Sequence, residues 1–219
     1  MQESDGQLLA DKAFIALRTL LIGGSLRAGQ FLSMPDLVKL IELPMAPVRE
    51  AVKRVESAGL LRVLPKRGVA VMDSSPALIR ECFHLRTIFD QEGARELARR
   101  GDTLDALRDT HRQLLATARD GITPSLQQDA IHVDWALHEA LVAALDNPSA
   151  QDIYRRNQDR ILVMQHARPL LPDRIIPAME EHLAILEAIA SGDPEAAASQ
   201  VRLHFRQTLR WWGIIDPAD

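Results

Sequence analysis

Hydrophobic residues recur every three or four positions along most of the chain, a spacing that predicts α-helices. The first such period covers Leu8 to Ile22 and ends at Gly23-Gly24, a typical helix stop. After a turn and a short extended piece, Ser33 can cap a second helix over Asp36 to Ile41. The front of the chain therefore begins with two helices.

A third helix is predicted after Pro47, a residue that suits a first helical turn. Val48, Val52 and Val55 recur at helical spacing and predict its buried stripe, and Gly59 marks its end. Strands are expected at residues 60–64 and 69–72, joined by the basic turn Pro65 to Gly68. Two helices followed by a helix and a small hairpin predict a winged helix-turn-helix.

The rest of the chain carries helical periodicity interrupted by Gly, Pro and Asn. Helices are expected at residues 77–100, 103–120, 124–145, 149–167, 173–191 and 194–212. Asp73-Ser74-Ser75-Pro76 lacks apolar residues and is predicted to be a linker. We therefore expect a DNA-binding domain over 1–72, a linker over 73–76, and an all-helical domain over 77–219. The expected fold class is mainly α, with a β-hairpin wing and a C-terminal helical bundle.

Charge is distributed unevenly over these two parts. The 219 residues carry a net charge of -4, but residues 1–72 sum to +3 and the remainder to -7. Six Lys or Arg residues against two Glu lie between Arg49 and Arg67. Such cations are most often a solvated helix face, yet on a third helix and a hairpin tip they can meet DNA phosphates.

Other compartments and partners leave no signal in the sequence. The single cysteine, Cys82, lies in an apolar setting and predicts a core residue in a reducing compartment. The chain shows no N-terminal secretory pattern and no apolar run of membrane-spanning length. A cytoplasmic protein without a membrane partner is expected.

The motifs together resemble a known family of bacterial transcription regulators. In the front part they are Pro-Val-Arg-Glu-Ala (47–51), Glu-Ser-Ala-Gly-Leu-Leu (56–61) and Pro-Lys-Arg-Gly (65–68). In the back part they are Leu85-Arg86 with Asp90, Asp134-x-x-x-His138, Asn147-Pro148, His182 and His204. This order is similar to GntR-type regulators of the FadR subfamily, which join a winged helix-turn-helix to an all-helical FCD effector domain.

The resemblance implies a DNA-binding surface on the third helix and the wing. Arg49 is the expected DNA contact. The residues Lys53, Arg54, Lys66 and Arg67 are expected to bind phosphate, and Gly68 to let the wing backbone approach closely. Pro44, Met45 and Pro35 stand where the family usually has polar or basic residues. Base specificity therefore cannot be carried over, because Met45 offers only apolar contact.

The resemblance also implies a metal site in the helical domain. Asp134 and His138 are four residues apart and share one helix face, while His182 and His204 lie on two later helices. Three imidazoles and a carboxylate suit a divalent ion, with zinc expected and nickel or manganese as alternatives. A metal-independent version, in which the four residues only form a polar core, stays open. His84, His111, His132 and His166 are expected to be structural or surface residues.

Arg86 is the candidate for binding an effector carboxylate, and a salt bridge to Asp90 is the equally weighted alternative. A metal-dependent hydrolase is a minor alternative. The sequence has no His-Glu-x-x-His, nucleophile elbow or phosphate loop, so no enzyme is expected. The prediction is a homodimeric repressor that binds an operator and responds to a small organic acid.

Overall fold

The computed structural model describes residues 2–168 and 171–214, whose contacts divide the chain into two units. The N-terminal unit takes in Met1–Ile79 and Arg156–Pro169, and the helical unit takes in Arg80–Arg155 and Leu170–Asp219. Part of the predicted break at 169–172, and both ends of the predicted domain ranges, lie outside the described residues. The predicted border at 73–76 stays a prediction.

Among the described residues, the N-terminal unit combines three complete helices with a three-stranded antiparallel sheet. Its helices and strands are α1 (Gln2–Ile22), β1 (Phe31–Leu32), α2 (Met34–Ile41), α3 (Met45–Ser57), β2 (Leu61–Leu64) and β3 (Gly68–Val71). The strand order is β1-β3-β2, with Leu61 opposite Val71 and Leu64 opposite Gly68. The hairpin β2–β3 is the predicted wing.

Local sequence signals explain where these helices begin and end. Ser33 caps α2 in a capping box, in which its hydroxyl accepts from the Asp36 amide and the Asp36 carboxylate accepts from the Ser33 amide. The helix begins at Met34, two residues before the predicted start. Gly59, with φ of +76°, follows the end of α3 and turns the chain into β2.

The core of the N-terminal unit comes from the stripes that the sequence predicted. Leu17 and Leu21 of α1, and Val48 and Val55 of α3, are fully buried, and α1 packs extensively against α3. The last part of helix α7 (Pro148–Ala167) also belongs to this unit, where Asp159 accepts two hydrogen bonds from Arg18, at 2.6 and 2.5 Å.

The helical unit contains no strand within the described residues. It contains the first part of α7 and, from Arg80 on, helix α4 (Pro76–Arg100). Its other helices are α5 (Asp105–Asp120), α6 (Pro124–Ala143), α8 (Pro172–Ala190) and α9 (Pro194–Trp211). Thr123 and Asp193 cap α6 and α9 with side-chain oxygens. The predicted fold class, a winged helix-turn-helix with a small wing followed by a helical bundle, is confirmed.

Clusters of buried apolar side chains hold the helices of this unit together. One cluster contains Leu137, Leu141, Ile185, Leu186 and Ile189. Another contains Leu114, Leu126, Ile175 and Met179. Helices α4 and α6 approach so closely at Gly93 that a Cβ there would lie 1.9 Å from the Leu141 carbonyl oxygen. Apolar packing on α6 and α8 thereby fixes the helices that carry the candidate metal ligands.

A search of the described helices found none with the length and apolar content needed to cross a membrane.

Candidate nucleic-acid interface and metal centre

Helix α3 presents two predicted DNA-binding residues on its exposed face. Arg49 and Lys53 are one helical turn apart and exposed, while Val48 and Val52 are buried. Lys53 meets Glu50 at 3.9 Å, but both side chains are more than half exposed. Such a surface pair contributes little, so Lys53 is free to exchange Glu50 for a phosphate.

The turn between β2 and β3 presents the other basic residues. Lys66 and Arg67 are exposed at its tip, and Lys66 has a positive φ of 61°. Gly68 has φ of +117°, and a Cβ there would lie 2.2 Å from the Leu32 carbonyl oxygen. Glycine is therefore needed at position 68 because the backbone there lies close to strand β1. The predicted contact of Gly68 with DNA stays a prediction.

Arg54 lies in different surroundings from the other cations. Its guanidinium donates to Asp11 at 2.6 Å and lies over the Phe14 ring, 4.1 Å from the centroid. These contacts connect α3 to α1. They also pair the Arg54 charge, which was predicted to bind phosphate, with Asp11. The role of Arg54 at DNA stays a prediction, and its position indicates a role in orienting α3.

The four predicted metal ligands lie together in the helical unit. Asp134 and His138 come from α6, His182 from α8 and His204 from α9, and their ligating atoms lie within 4.8 Å of one another. Asp134 Oδ1 is 3.5 Å from His182 Nε2, and Asp134 Oδ2 is 3.9 Å from His138 Nε2. The three histidine residues are at most 3% exposed.

Hydrogen bonds on the outer ring nitrogens show that these residues suit a cation. His138 Nδ1 is 2.9 Å from Asp90, and His204 Nδ1 is 2.8 Å from Glu181. The ionised Glu181 can only accept, so His204 carries its proton on Nδ1, and His138 does the same in the state in which Asp90 is ionised. Each ring then has its Nε2 lone pair available for a cation. Among the described residues, the buried Nε2 atoms of His138 and His182 have no hydrogen-bond partner. A divalent cation would satisfy both atoms.

The protonation of the ligands also suits a metal. Burial lowers the pKa of His138 and of His182 well below the usual value, so both rings stay neutral near pH 7. Neutral imidazole is the form that binds metal ions. The side chain of Asp134 is 22% exposed, which leaves its carboxylate partly solvated. Neutral nitrogen donors and one carboxylate oxygen form a set typical of zinc and similar ions.

Asp90 links the metal ligands to Arg86. It accepts hydrogen bonds from His138 and, at 3.0 Å, from the Tyr154 hydroxyl, and it lies 3.6 Å from Arg86 Nε. Burial raises the pKa of Asp90 to about 7, although the Arg86 charge acts in the opposite direction. Arg86 is 4% exposed and its guanidinium lies 4.9 Å from the Phe83 ring centroid. The structure thus contains the predicted Arg86–Asp90 salt bridge, and the role of Arg86 in effector binding stays a prediction.

Glu181 is held by the buried Arg174. Arg174 donates two hydrogen bonds of 2.6 Å to Glu181 and a third, of 3.2 Å, to Thr208. Burial alone would raise the pKa of Glu181, but the hydrogen bonds from His204 and Arg174 hold it below its usual value. A carboxylate that stays ionised is a strong acceptor for the His204 N–H.

Sequence reasoning missed the partners behind the ligands. His111, expected to be structural or a surface residue, is buried with Nε2 3.2 Å from His182 Nδ1. Asp90, Glu181 and Tyr154 were not predicted to orient metal ligands. Their local sequence carried no such signal, because pairing across helices depends on tertiary structure. His84 and His132 are exposed. His166 hydrogen-bonds the Ile22 carbonyl in the N-terminal unit.

Comparison with known proteins gives matches to both parts. The family described as "Bacterial regulatory proteins, gntR family" matches residues 9–71, and the FCD domain family matches residues 81–207. The relative BphR of Paraburkholderia xenovorans, an uncharacterized HTH-type transcriptional regulator, is 26% identical over 94% of this chain and 87% of its own length. The HTH-type transcriptional repressor NanR of Citrobacter rodentium is 29% identical over 48% of this chain and 42% of its own length.

A solved structure supports the fold in the same way. A Rhodococcus sp. RHA1 protein, described as a GntR transcriptional regulator, has a TM-score of 0.71 and 21% identity over 97% of this chain and all of that one.

Proposed function

Because this chain belongs to the gntR family of bacterial regulatory proteins and carries an FCD domain, we propose that it is an effector-responsive transcription repressor of the FadR subfamily. Family membership establishes DNA-binding regulation of transcription. The observation that carries the rest is the exposed cationic surface that α3 and the wing turn present away from a well-packed core. Repression is supported by the relative NanR, which is named as a repressor.

The DNA interface in this proposal is formed by four exposed cations, Arg49, Lys53, Lys66 and Arg67. Arg49 and Lys53 enter the major groove on α3, and the wing residues contact the flanking backbone. A homodimer doubles this set and places it on two half-sites of a palindromic operator. An arginine can bind both acceptors of a guanine, so Arg49 is the residue assigned to base reading.

The operator-binding experiment uses duplexes that the full chain selects from a random pool. Arg49→Ala should weaken binding to the selected site by about 1–3 kcal/mol and relax sequence preference. The matched control is Arg112→Ala, an exposed arginine on α5 that pairs with Asp109. Equal affinities for wild type and Arg49→Ala would remove Arg49 from the interface.

The helical unit is the sensor in this proposal. Asp134, His138, His182 and His204 hold a divalent ion, with zinc favoured by the donor set and nickel or manganese as alternatives. Such an ion supplies a Lewis-acidic position at which a carboxylate can bind. Arg86, buried beside Asp90, supplies a fixed positive charge for a small organic acid.

Regulation requires that the effector bind the DNA-competent and DNA-incompetent states with different affinities. A hundredfold change in operator affinity corresponds to nearly 3 kcal/mol of coupling. Elemental analysis of protein purified without chelator tests the metal. His138→Ala should lower metal content while helix content stays, and His132→Ala, on the same helix but exposed, should not. Unchanged metal in His138→Ala would refute the ligand assignment.

This proposal has no place for catalysis: the helical unit reports a metabolite and does not convert it. Regulation of transcription also places the protein where bacterial DNA is, in the cytoplasm.

A further inference from the structure

We propose that His111 is a positioning residue that fixes the metal-binding tautomer of His182, and that it does so through the backbone carbonyl of Leu107. The inference rests on the proposed metal site. His111 lies on α5 and is not one of the four candidate metal ligands.

The first step is the tautomer of His111. Its Nδ1 lies 2.7 Å from the Leu107 carbonyl oxygen, one turn earlier on α5. A carbonyl oxygen can only accept a hydrogen bond, so Nδ1 must carry the proton. His111 is fully buried, where an imidazolium charge would be costly, so the neutral ring carries only this one proton. Its Nε2 is therefore an unprotonated acceptor.

The second step is the hydrogen bond between His111 and His182, which fixes the nitrogen that carries the His182 proton. His111 Nε2 lies 3.2 Å from His182 Nδ1, with the two rings edge to face at a centroid distance of 5.3 Å. Since His111 Nε2 accepts, His182 Nδ1 must donate and carry that ring's proton. The Nε2 lone pair of His182 then points at Asp134, 3.5 Å away, where a metal ion would be bound.

The opposite tautomer would be unsuited to the site. A proton on His182 Nε2 would occupy the position of the metal and leave two unprotonated nitrogens facing each other at 3.2 Å. Metal-binding histidines usually donate their second N–H to a carboxylate or a carbonyl, as His138 and His204 do here to Asp90 and Glu181. At His182 a second imidazole is inserted between the ligand and the carbonyl.

The consequence is a difference among the three imidazole ligands. Two are supported by carboxylates, and His182 is supported by a neutral ring whose acceptor character depends on the Leu107 carbonyl. Loss of the acceptor at position 111 should therefore weaken metal binding without removing a ligand. Outer partners of this kind typically change metal affinity 10–100-fold.

The experiment compares His111→Phe with His111→Gln in the full chain. Phenylalanine keeps an aromatic ring and removes the acceptor, whereas glutamine places a carbonyl oxygen near the position of the ring Nε2. We expect zinc to bind 10–100-fold more weakly to His111→Phe. His111→Gln should retain most of the affinity. His132→Phe, at an exposed histidine of α6, is the matched control and should bind zinc as wild type does. Zinc affinity is measured by competition with a chromophoric chelator.

A direct readout comes from long-range proton–nitrogen spectra of the histidine rings in metal-free wild-type protein. We expect His182 to carry its proton on Nδ1, and this signature to persist in His111→Gln and become mixed in His111→Phe. Spectra of wild type and His111→Gln test the inference even if His111→Phe does not fold.

Three results would overturn the inference: a proton on His182 Nε2 in wild type, wild-type zinc affinity in His111→Phe, or an equally large loss in His111→Gln. Wild-type protein with the expected tautomer but no affinity for zinc, nickel or manganese would refute the proposed metal site. That result would still support the hydrogen bonds from the Leu107 carbonyl through His111 to His182.

Discussion

The Arg174–Glu181 pair behind His204 yields a prediction with two separable measurements. Glu181→Gln keeps the side-chain shape and one acceptor oxygen, but it removes the negative charge that Arg174 contacts twice at 2.6 Å. The side chains of Arg174 and Glu181 are only 5% and 17% exposed. The substitution therefore leaves a buried guanidinium without its counter-charge.

The magnitudes follow from this burial. Removing one partner of a buried ion pair costs about 3–5 kcal/mol, and the partial exposure of Glu181 places the loss at about 3 kcal/mol. Glutamine also polarises the His204 N–H less than a carboxylate does, so zinc affinity should fall about tenfold. Urea unfolding of the metal-free protein gives the first quantity, and chelator competition gives the second.

The double variant Arg174→Met with Glu181→Gln separates the two effects. It removes the unpaired charge, so the free energy of unfolding should return to within about 1 kcal/mol of wild type. Zinc affinity should stay low, because Glu181 is still neutralised. If Glu181→Gln changes neither quantity, or if the double variant is less stable than the single one, the argument from a buried, charge-supported ligand is wrong.

Three further substitutions test other parts of the molecule. Gly93→Ala should lower the free energy of unfolding, measured in urea, by about 2 kcal/mol. A Cβ 1.9 Å from the Leu141 carbonyl oxygen costs more than the roughly 1 kcal/mol that alanine gains over glycine in a helix. A more stable variant would contradict the α4–α6 contact. Arg54→Met should lower the free energy of unfolding by about 1 kcal/mol. The salt dependence of operator binding should not change, since the Arg54 guanidinium contacts Asp11. A shallower salt dependence would show that Arg54 contacts DNA. Lys53→Met should make that salt dependence shallower by about two units in the dimer, about one for each subunit. No change would remove Lys53 from the interface.

Much of the fold could be predicted from the sequence because local signals agree with the tertiary structure. Apolar periodicity predicted the helices, and proline, glycine and cap residues predicted most of their ends to within two positions. The start of α1 was predicted wrongly, because the helix begins at Gln2, six residues before Leu8. Strand β1 was expected only as a short extended piece, since two residues carry no alternating pattern. Its pairing of Phe31 with Ala70 is a tertiary contact that the sequence does not encode locally.

The candidate metal site could be predicted only in part. Asp134 and His138 share a helix face by spacing alone, whereas their approach to His182 and His204 was implied by the family resemblance. The hydrogen-bond partners behind the ligands depend on which helices pack together. His111 illustrates this limit, because nothing in its own helix distinguishes a buried relay from an ordinary core histidine.

The salt dependence of operator affinity tests the central claim that this chain binds duplex DNA through a cationic winged helix. Three exposed cations per chain are assigned to phosphate, Lys53, Lys66 and Arg67, which gives six in a dimer. Neutralising up to six phosphates predicts a slope of log affinity against log salt as steep as about -5. A fluorescence anisotropy titration of the selected operator at several salt concentrations should show a steep negative slope. A slope near zero would contradict the account.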